Sequence, residues 1–356
     1  MTKARTNASA SPAVGRNMII NGAMNVAQRA TSVTGLGAAS GYFTLDRYTM
    51  LRDATAGRFT MSQTADGPNG ISANCLKLDC TTADTSIAAG EHLILRQMIE
   101  GQNVQRIGKG VVGAKQVTVS FYVKANAAFT FGCELFDVTA ERQCTKLFST
   151  TTDWVRHEIT FPADVDDGSS PFNDDNSNEL ELNFWIHAGS TFTSGNLNSS
   201  VFNNLSSANR VVGIDSFFSS TDNNFFLTGV QLEVGPVATE FEQEDISTTL
   251  AKCQRYYYRP TTAGDLTGNT HAQAATAAVV IGSFVYKETM RAAPTIALFS
   301  IGNGTAGRIR KTSDGAETTS AGAANIGLNS FGFATGMSNL TAGDAYDLTF
   351  TADAEL

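Results

Sequence analysis

The chain has 356 residues, and 25 Lys+Arg against 34 Asp+Glu give a formal net charge of −9, with 42% hydrophobic and 17% charged residues. That length holds an ample core and suggests one large or two medium domains. Apolar residues come in short, interrupted groups, so no membrane insertion is expected, and Met1 to Gly15 lack the apolar stretch of a signal peptide. Thirty-two glycines, 22 Phe and abundant Thr, Ser and Asn favour an all-β chain of short strands and tight turns.

Charge is unevenly spread. Residues 1–45 carry Lys3, Arg5, Arg16 and Arg29 and no carboxylate, which reads as a basic arm that docks on an acidic partner or stays solvated. Residues 161–250 hold fourteen carboxylates and one cation, Arg210, so this stretch alone is −13 and would repel nucleic acid. The five cysteines, Cys75, Cys80, Cys133, Cys144 and Cys253, form no CxxC pair and read as reduced, partly buried thiols.

In chain order, Met18, Ile19 and Ile20 make a short apolar run closed by the Asn21-Gly22 turn signal, which predicts a first strand. Alternation at Val117, Val119, Phe121 and Val123 predicts the clearest strand. The same period recurs at Phe129–Leu135, Val155–Phe161 and Leu180–Ile186, and in the run Phe226, Thr228, Val230, Leu232, Val234. Strands so spaced, with almost no helical pattern between them, predict a two-sheet antiparallel sandwich. Asp245 is placed to cap a helix whose stripe is Ile246, Leu250, Cys253 and Tyr257, ending before Pro260. New short strands around Ala277–Val285, Thr295–Ser300 and Tyr346–Thr351 predict a smaller second β domain. The expected organisation is an arm at 1–15, a sandwich at 16–242, a helical linker at 243–259 and a C-terminal β domain at 260–356.

Several segments carry a resemblance. GRNMIINGAMNVAQRATS from Gly15, GYFTLDRYTM at 41–50, VTVSFYVKA at 117–125 and TGVQLEVGPVATEFE at 228–242 resemble the carbohydrate-binding-module-like jelly-roll domain of bacteriophage tail fibres and related virion fibres. CQRYYYR at 253–259, YKETMRAAPTI at 286–296 and the terminal ADAEL are similar to the segment that follows it in such fibres. The resemblance covers almost the whole chain from Gly15 onward. It implies a jelly-roll sandwich, a virion location, and contact with bacterial surface glycan.

Within that frame, Glu181, Asn183, Trp185 and His187 fall on the face of one strand opposite its apolar set, as a sugar platform requires: a ring for the pyranose C–H face and short polar groups for its hydroxyls. Tyr122 extends the platform if its strand shares that sheet; Trp154 reads as core. The competing expectation covers Trp185 with a loop or a neighbouring subunit. The acids Asp164, Asp166, Asp167, Asp174 and Asp175 are dense enough for a structural calcium, but the loop fails the EF-hand pattern and reads first as solvated, so no metal or other cofactor is assigned.

No catalytic residues are assigned. The four histidines, His92, His157, His187 and His271, fall in no HExxH, and GxSxG and GxxxxGK[ST] are missing too. His157 alternates with core residues and reads as a satisfied buried histidine. The expected function is a non-enzymatic virion structural protein, a tail or capsid fibre for host-surface glycan attachment. Its arm would dock on other virion proteins, and Ile246, Leu250 and Tyr257 would line a homotrimer axis, as fibres of this kind generally have. The alternatives are a decoration or fibre protein without sugar affinity and, less favoured, a capsule-degrading enzyme.

Overall fold

The computed structural model describes residues 15–165, 171–260, 270–318 and 321–356; positions 1–14 of the expected arm, and Asp166 and Asp167, lie outside them. Among the described residues, thirteen strands build the sandwich. They are β1 (Ser32–Leu36), β2 (Gly41–Tyr42), β3 (Thr49–Asp53), β4 (Arg58–Thr64), β5 (Cys75–Thr82), β6 (His92–Glu100), β7 (Val117–Ala125), β8 (Thr130–Asp137), β9 (Arg142–Ser149), β10 (Val155–Phe161), β11 (Asn178–Ala188), β12 (Asn203–Asn204) and β13 (Asn224–Val234). The first sheet runs β1-β4-β5-β13-β7-β10 and the second β12-β9-β8-β11-β6-β3-β2. The chain passes repeatedly from one sheet to the other and every pairing is antiparallel, the wrapping of a jelly roll.

Period-two alternation explains the packing. Val119, Phe121 and Val123 point from the first sheet into the core, where Leu180, Leu182 and Phe184 meet them from the second. Phe121 sits edge-on to both Phe148 and Phe184, ring centres 5.0 Å apart in each pair. Full burial of each such side chain stabilises by roughly 1.5–3 kcal/mol.

Three local expectations need correction. The residues around Met18–Ile20 form no strand. Asn21 takes a left-handed φ of 60°, and the segment is stitched to β13 by a few bonds, Met18 N–H to the Leu232 carbonyl and the Leu232 N–H to Asn17 Oδ1. β13 is not one continuous alternation either. Gly229, at φ 60°, carries a bulge, and the register against β7 shifts between Thr228 and Gln231. Phe225 and Leu227 face the core before it and Val230 and Leu232 after it, so Phe226 and Thr228 face outward. Finally, the linker helix spans Ile246–Gln254, capped by the Asp245 carboxylate on the Ser247 N–H as expected, but ends before Tyr257. Tyr257 belongs instead to a strand, β14 (Tyr257–Tyr258).

The C-terminal strands are β15 (Thr270–Ala274), β16 (Val279–Val285), β17 (Thr295–Phe299), β18 (Arg310–Lys311), β19 (Gly322–Ala324), β20 (Ser330–Thr335) and β21 (Ala345–Asp353). The long β21 organises them: its first half pairs with β15 and β18, its second with β14 and β17. A second core of Tyr258, Phe284, Tyr286, Phe331 and Phe350 fills the interior.

The two cores are joined at a charged seam. Arg47, buried in the sandwich, pairs with Glu355, donates to the Met98 carbonyl at 2.7 Å, and lies 3.5 Å from the Tyr256 ring centre. Arg29 reaches Asp353 and Glu355 while stacking on Tyr257 at 3.7 Å. Burial pushes the neighbouring Asp46 carboxyl up to about 6. Removing one partner of a buried ion pair strands the other, so Arg47→Ala should destabilise the chain by about 3–5 kcal/mol. Denaturant titration checks this; a loss below about 1 kcal/mol would show the seam to be ornamental.

Candidate functional site

On β11, the residues facing away from the core do stand together, but they are sealed. Trp185 and His187 are completely buried, Asn183 and Glu181 nearly so. Gly132 lies opposite Trp185 on β8, where a Cβ would stand 3.0 Å from Val211 Cγ1, so the glycine lets residues 190–214 close over the indole. Phe192 packs at 5.2 Å between ring centres, Val211 joins the same small apolar cluster, and the Arg210 guanidinium lies 4.6 Å from the Trp185 ring centre.

Beneath the cover sits a fully buried carboxylate that the sequence reading missed, Glu134. It accepts from Arg210 Nε at 2.8 Å and Nη2 at 2.6 Å, from Trp185 Nε1 at 2.8 Å and from Asn183 Nδ2 at 3.0 Å. Such a charge is tolerated in the interior only with this many donors. Glu181 is engaged too, by Arg96 and Asn178, both at 2.9 Å. The expected open platform is therefore corrected: its ring and polar groups are spent on one another and on the covering loop. One sequence signal did point there, since Arg210 is the lone cation of the acidic stretch.

His187 is held by the Ser216 hydroxyl at Nδ1, 2.8 Å away, with Glu91 Oε2 3.4 Å from Nε2. Burial lowers its pKa to about 4. Ser216 also accepts the Phe218 N–H and caps the short helix there, a structural use of the hydroxyl. His157 is half-buried rather than enclosed, bonded through Nε2 to the Ser149 carbonyl at 2.8 Å.

Tyr122 lies on β7 in the other sheet, so it cannot extend the Trp185 face. It belongs to a different surface. The outer face of the first sheet is divided in two. One half, with Thr118, Ser120, Gln231 and Glu233, is covered by residues 235–242. The other half is open and carries a row across neighbouring strands: Ser62 on β4, Lys77 on β5, Phe226 on β13 and Lys124 on β7, ending at Trp154 beside β10. Trp154 is half-buried at this surface, not core, and donates through Nε1 to the Asp66 carbonyl at 3.0 Å. Lys124 Nζ lies 4.8 Å from the Phe226 ring centre and 5.2 Å from that of Trp154. Gly229 matters here as well: a Cβ on it would stand 2.8 Å from Tyr122 Cδ2, so the glycine allows that ring to lie against the bulge.

The expected trimer residues are also separated. Ile246 is exposed and Leu250 half-buried on the linker helix, while Tyr257 is buried under Arg29. Among the described residues no cluster of three or more His, Cys, Asp or Glu is arranged to hold a metal ion.

A histidine kept neutral by burial makes acid destabilising. Its pKa is about 4 folded against 6.5 unfolded, so its contribution is full above pH 6.5 and is lost as pH falls toward 4, on the order of 3 kcal/mol. His187→Gln should therefore lose less stability than wild type between pH 7.5 and pH 4.5 in thermal melts; parallel curves would rule the linkage out.

No protein-family model matches the chain, and no curated protein matches it. Among solved structures it is similar to a family 4 carbohydrate-binding module, at 10% identity and TM-score 0.31 over 60% of this chain and 97% of the module. It is similar also to a family 61 carbohydrate-binding module in complex with β-1,4-galactotriose, at 10% identity and TM-score 0.29 over 62% and 99%. A third is the enzymatically active domain of tailspike protein 4 of bacteriophage CBA120, at 10% identity and TM-score 0.31, where the match covers 62% of this chain and 21% of that one.

Proposed function

We propose that the chain is a non-enzymatic structural protein of a virion, a tail or capsid fibre component, that presents the open half of its first sheet to bacterial surface glycan. The observation that carries the glycan role is the row Lys77, Phe226, Lys124, Trp154 with Tyr122 beside it. Half-buried rings on a sheet offer flat apolar faces to pyranose C–H groups, and the flanking polar groups serve the hydroxyls. Because the strands hold the rings at fixed spacing, little side-chain freedom is lost on binding. The virion assignment rests on the ordered fibre-like segments from Gly15 onward, with the basic arm docking on other virion proteins. We assign the role no catalytic residue and no cofactor.

One observation favours a second reading, a fibre or decoration protein without sugar affinity: Trp185, the expected platform ring, is wholly buried. The two readings separate on the open face. Trp154→Ala and Phe226→Ala should each weaken binding to a responsive polymer, found in a panel of bacterial surface polysaccharides, by at least tenfold, about 1.4 kcal/mol, while Trp185→Phe leaves it unchanged. Unaltered affinity in Trp154→Ala would move the site elsewhere, and silence across the panel would favour the second reading. Unchanged polymer viscosity on incubation with pure protein is expected; a fall would reinstate an enzyme.

We also propose a homotrimer packed through Ile246, 53% exposed, and Leu250. Light scattering should return three times the 37.7 kDa chain mass, falling to one in Ile246→Glu. A lone wild-type monomer at micromolar concentration would refute it.

A further inference from the structure

We propose that the ligand of the open face is an acidic glycan, a polymer bearing carboxylates as polyuronates do, and not a neutral one. The inference rests on the glycan reading and adds the ligand's charge to it.

Three cations stand on this face, each against a ring. Lys124 is bracketed by Phe226 and Trp154, Lys77 lies 5.4 Å from the Phe226 ring centre, and the Arg156 guanidinium is 6.0 Å from that of Tyr122. Each has a carboxylate partner, at 2.7 Å for Lys124–Asp66 and Lys77–Asp79 and 2.6 Å for Arg156–Glu158. The pairs are lopsided in the same sense. The Lys124 side chain is 18% exposed against 54% for Asp66, Lys77 27% against 36% for Asp79, and Arg156 25% against 47% for Glu158. The cations thus sit in, among the rings, and the carboxylates sit out, in water.

That asymmetry decides which partner yields to a ligand. An exposed ion pair contributes little, so a solvated Asp or Glu swings away at little cost. The ammonium leaves its bracket only by giving up its attraction to the ring faces, which grows as water is excluded. A carboxylate arriving over the rings takes the place Asp66 holds, and the sugar ring that bears it lies against Trp154 and Phe226. Lys77 and Lys124 are cross-strand partners on either side of Phe226, two strands and so about 10 Å apart. A ligand meets both only if it carries repeated charges, which points to a polymer. The chain's overall charge of −9 repels such a polymer at a distance, so the recognition is local.

Calorimetric titration of the full chain tests this with polygalacturonate, alginate and hyaluronate as acidic probes. Fully methyl-esterified polygalacturonate and β-1,4-galactan are the neutral ones. At least one acidic polymer should bind ten times more tightly than either neutral probe. Lys124→Gln should erase that margin. Asp66→Asn frees Lys124 without touching the Asp66 carbonyl that receives Trp154 Nε1, and should tighten the acidic polymer about threefold. Circular dichroism melts establish that both variants fold. Neutral probes binding as tightly as acidic ones, with both lost in Trp154→Ala, would overturn the charge inference and leave the glycan reading standing. An unchanged affinity in both Lys124→Gln and Asp66→Asn would overturn it too, as would no binding by any of the three acidic polymers; the glycan reading itself falls only if the panel of bacterial surface polysaccharides is silent as well.

Discussion

A strand in a two-sheet sandwich commits one face to the core, and what such a molecule can present is then governed by what covers the other. The inward faces here are filled by Val119, Phe121, Leu182 and Phe184 and their neighbours, so they hold the shape and contact nothing outside. The two outward faces have opposite fates. The second sheet's is closed by residues 190–214 and tied down at Glu134; the first sheet's is closed over half its area and open over the rest.

The closed face shows why a ring with polar neighbours is not by itself a site. Glu134 is buried, and a buried carboxylate without donors would cost several kcal/mol. Arg210, Trp185 and Asn183 meet that need together, so each is committed to the carboxylate before any ligand arrives. The network makes the covering loop part of the fold, because Arg210 is at once the counter-charge of Glu134 and the lid on Trp185. On the open face the lysines have looser obligations: Lys124 and Lys77 are paired with carboxylates more exposed than themselves.

Much of the sandwich was legible from alternation, since period two identifies a strand and its inward set, as for β7 and β11. What alternation could not carry was a phase change. A single bulge at Gly229 turned Phe226 outward, and with it part of the open face, although Phe226 looks like the first member of an apolar series. Strand pairing across long sequence separations was equally silent. Nothing local says that Tyr122 and Trp185 belong to different sheets, or that residues 235–242 lie over Thr118 and Ser120. Tyr257 failed as a helix residue for a related reason: its helical spacing was outweighed by pairing with Asp353 at the far end of the chain.

That same pairing bears on how the two cores work as one body. β14 follows the linker helix directly and pairs with the last strand, which brings Glu355 under Arg47 and sets Tyr256 and Tyr257 against the guanidinium groups of Arg47 and Arg29. Guanidinium planes stacked on rings and paired with carboxylates resist rotation in a way that apolar contact alone does not, because both the angle and the distance are constrained. A joint of that kind passes load from one β unit to the next without a hinge. The helix then need not serve as a flexible tether, and its outward residues, Ile246 and Leu250, are left available for contact with other chains.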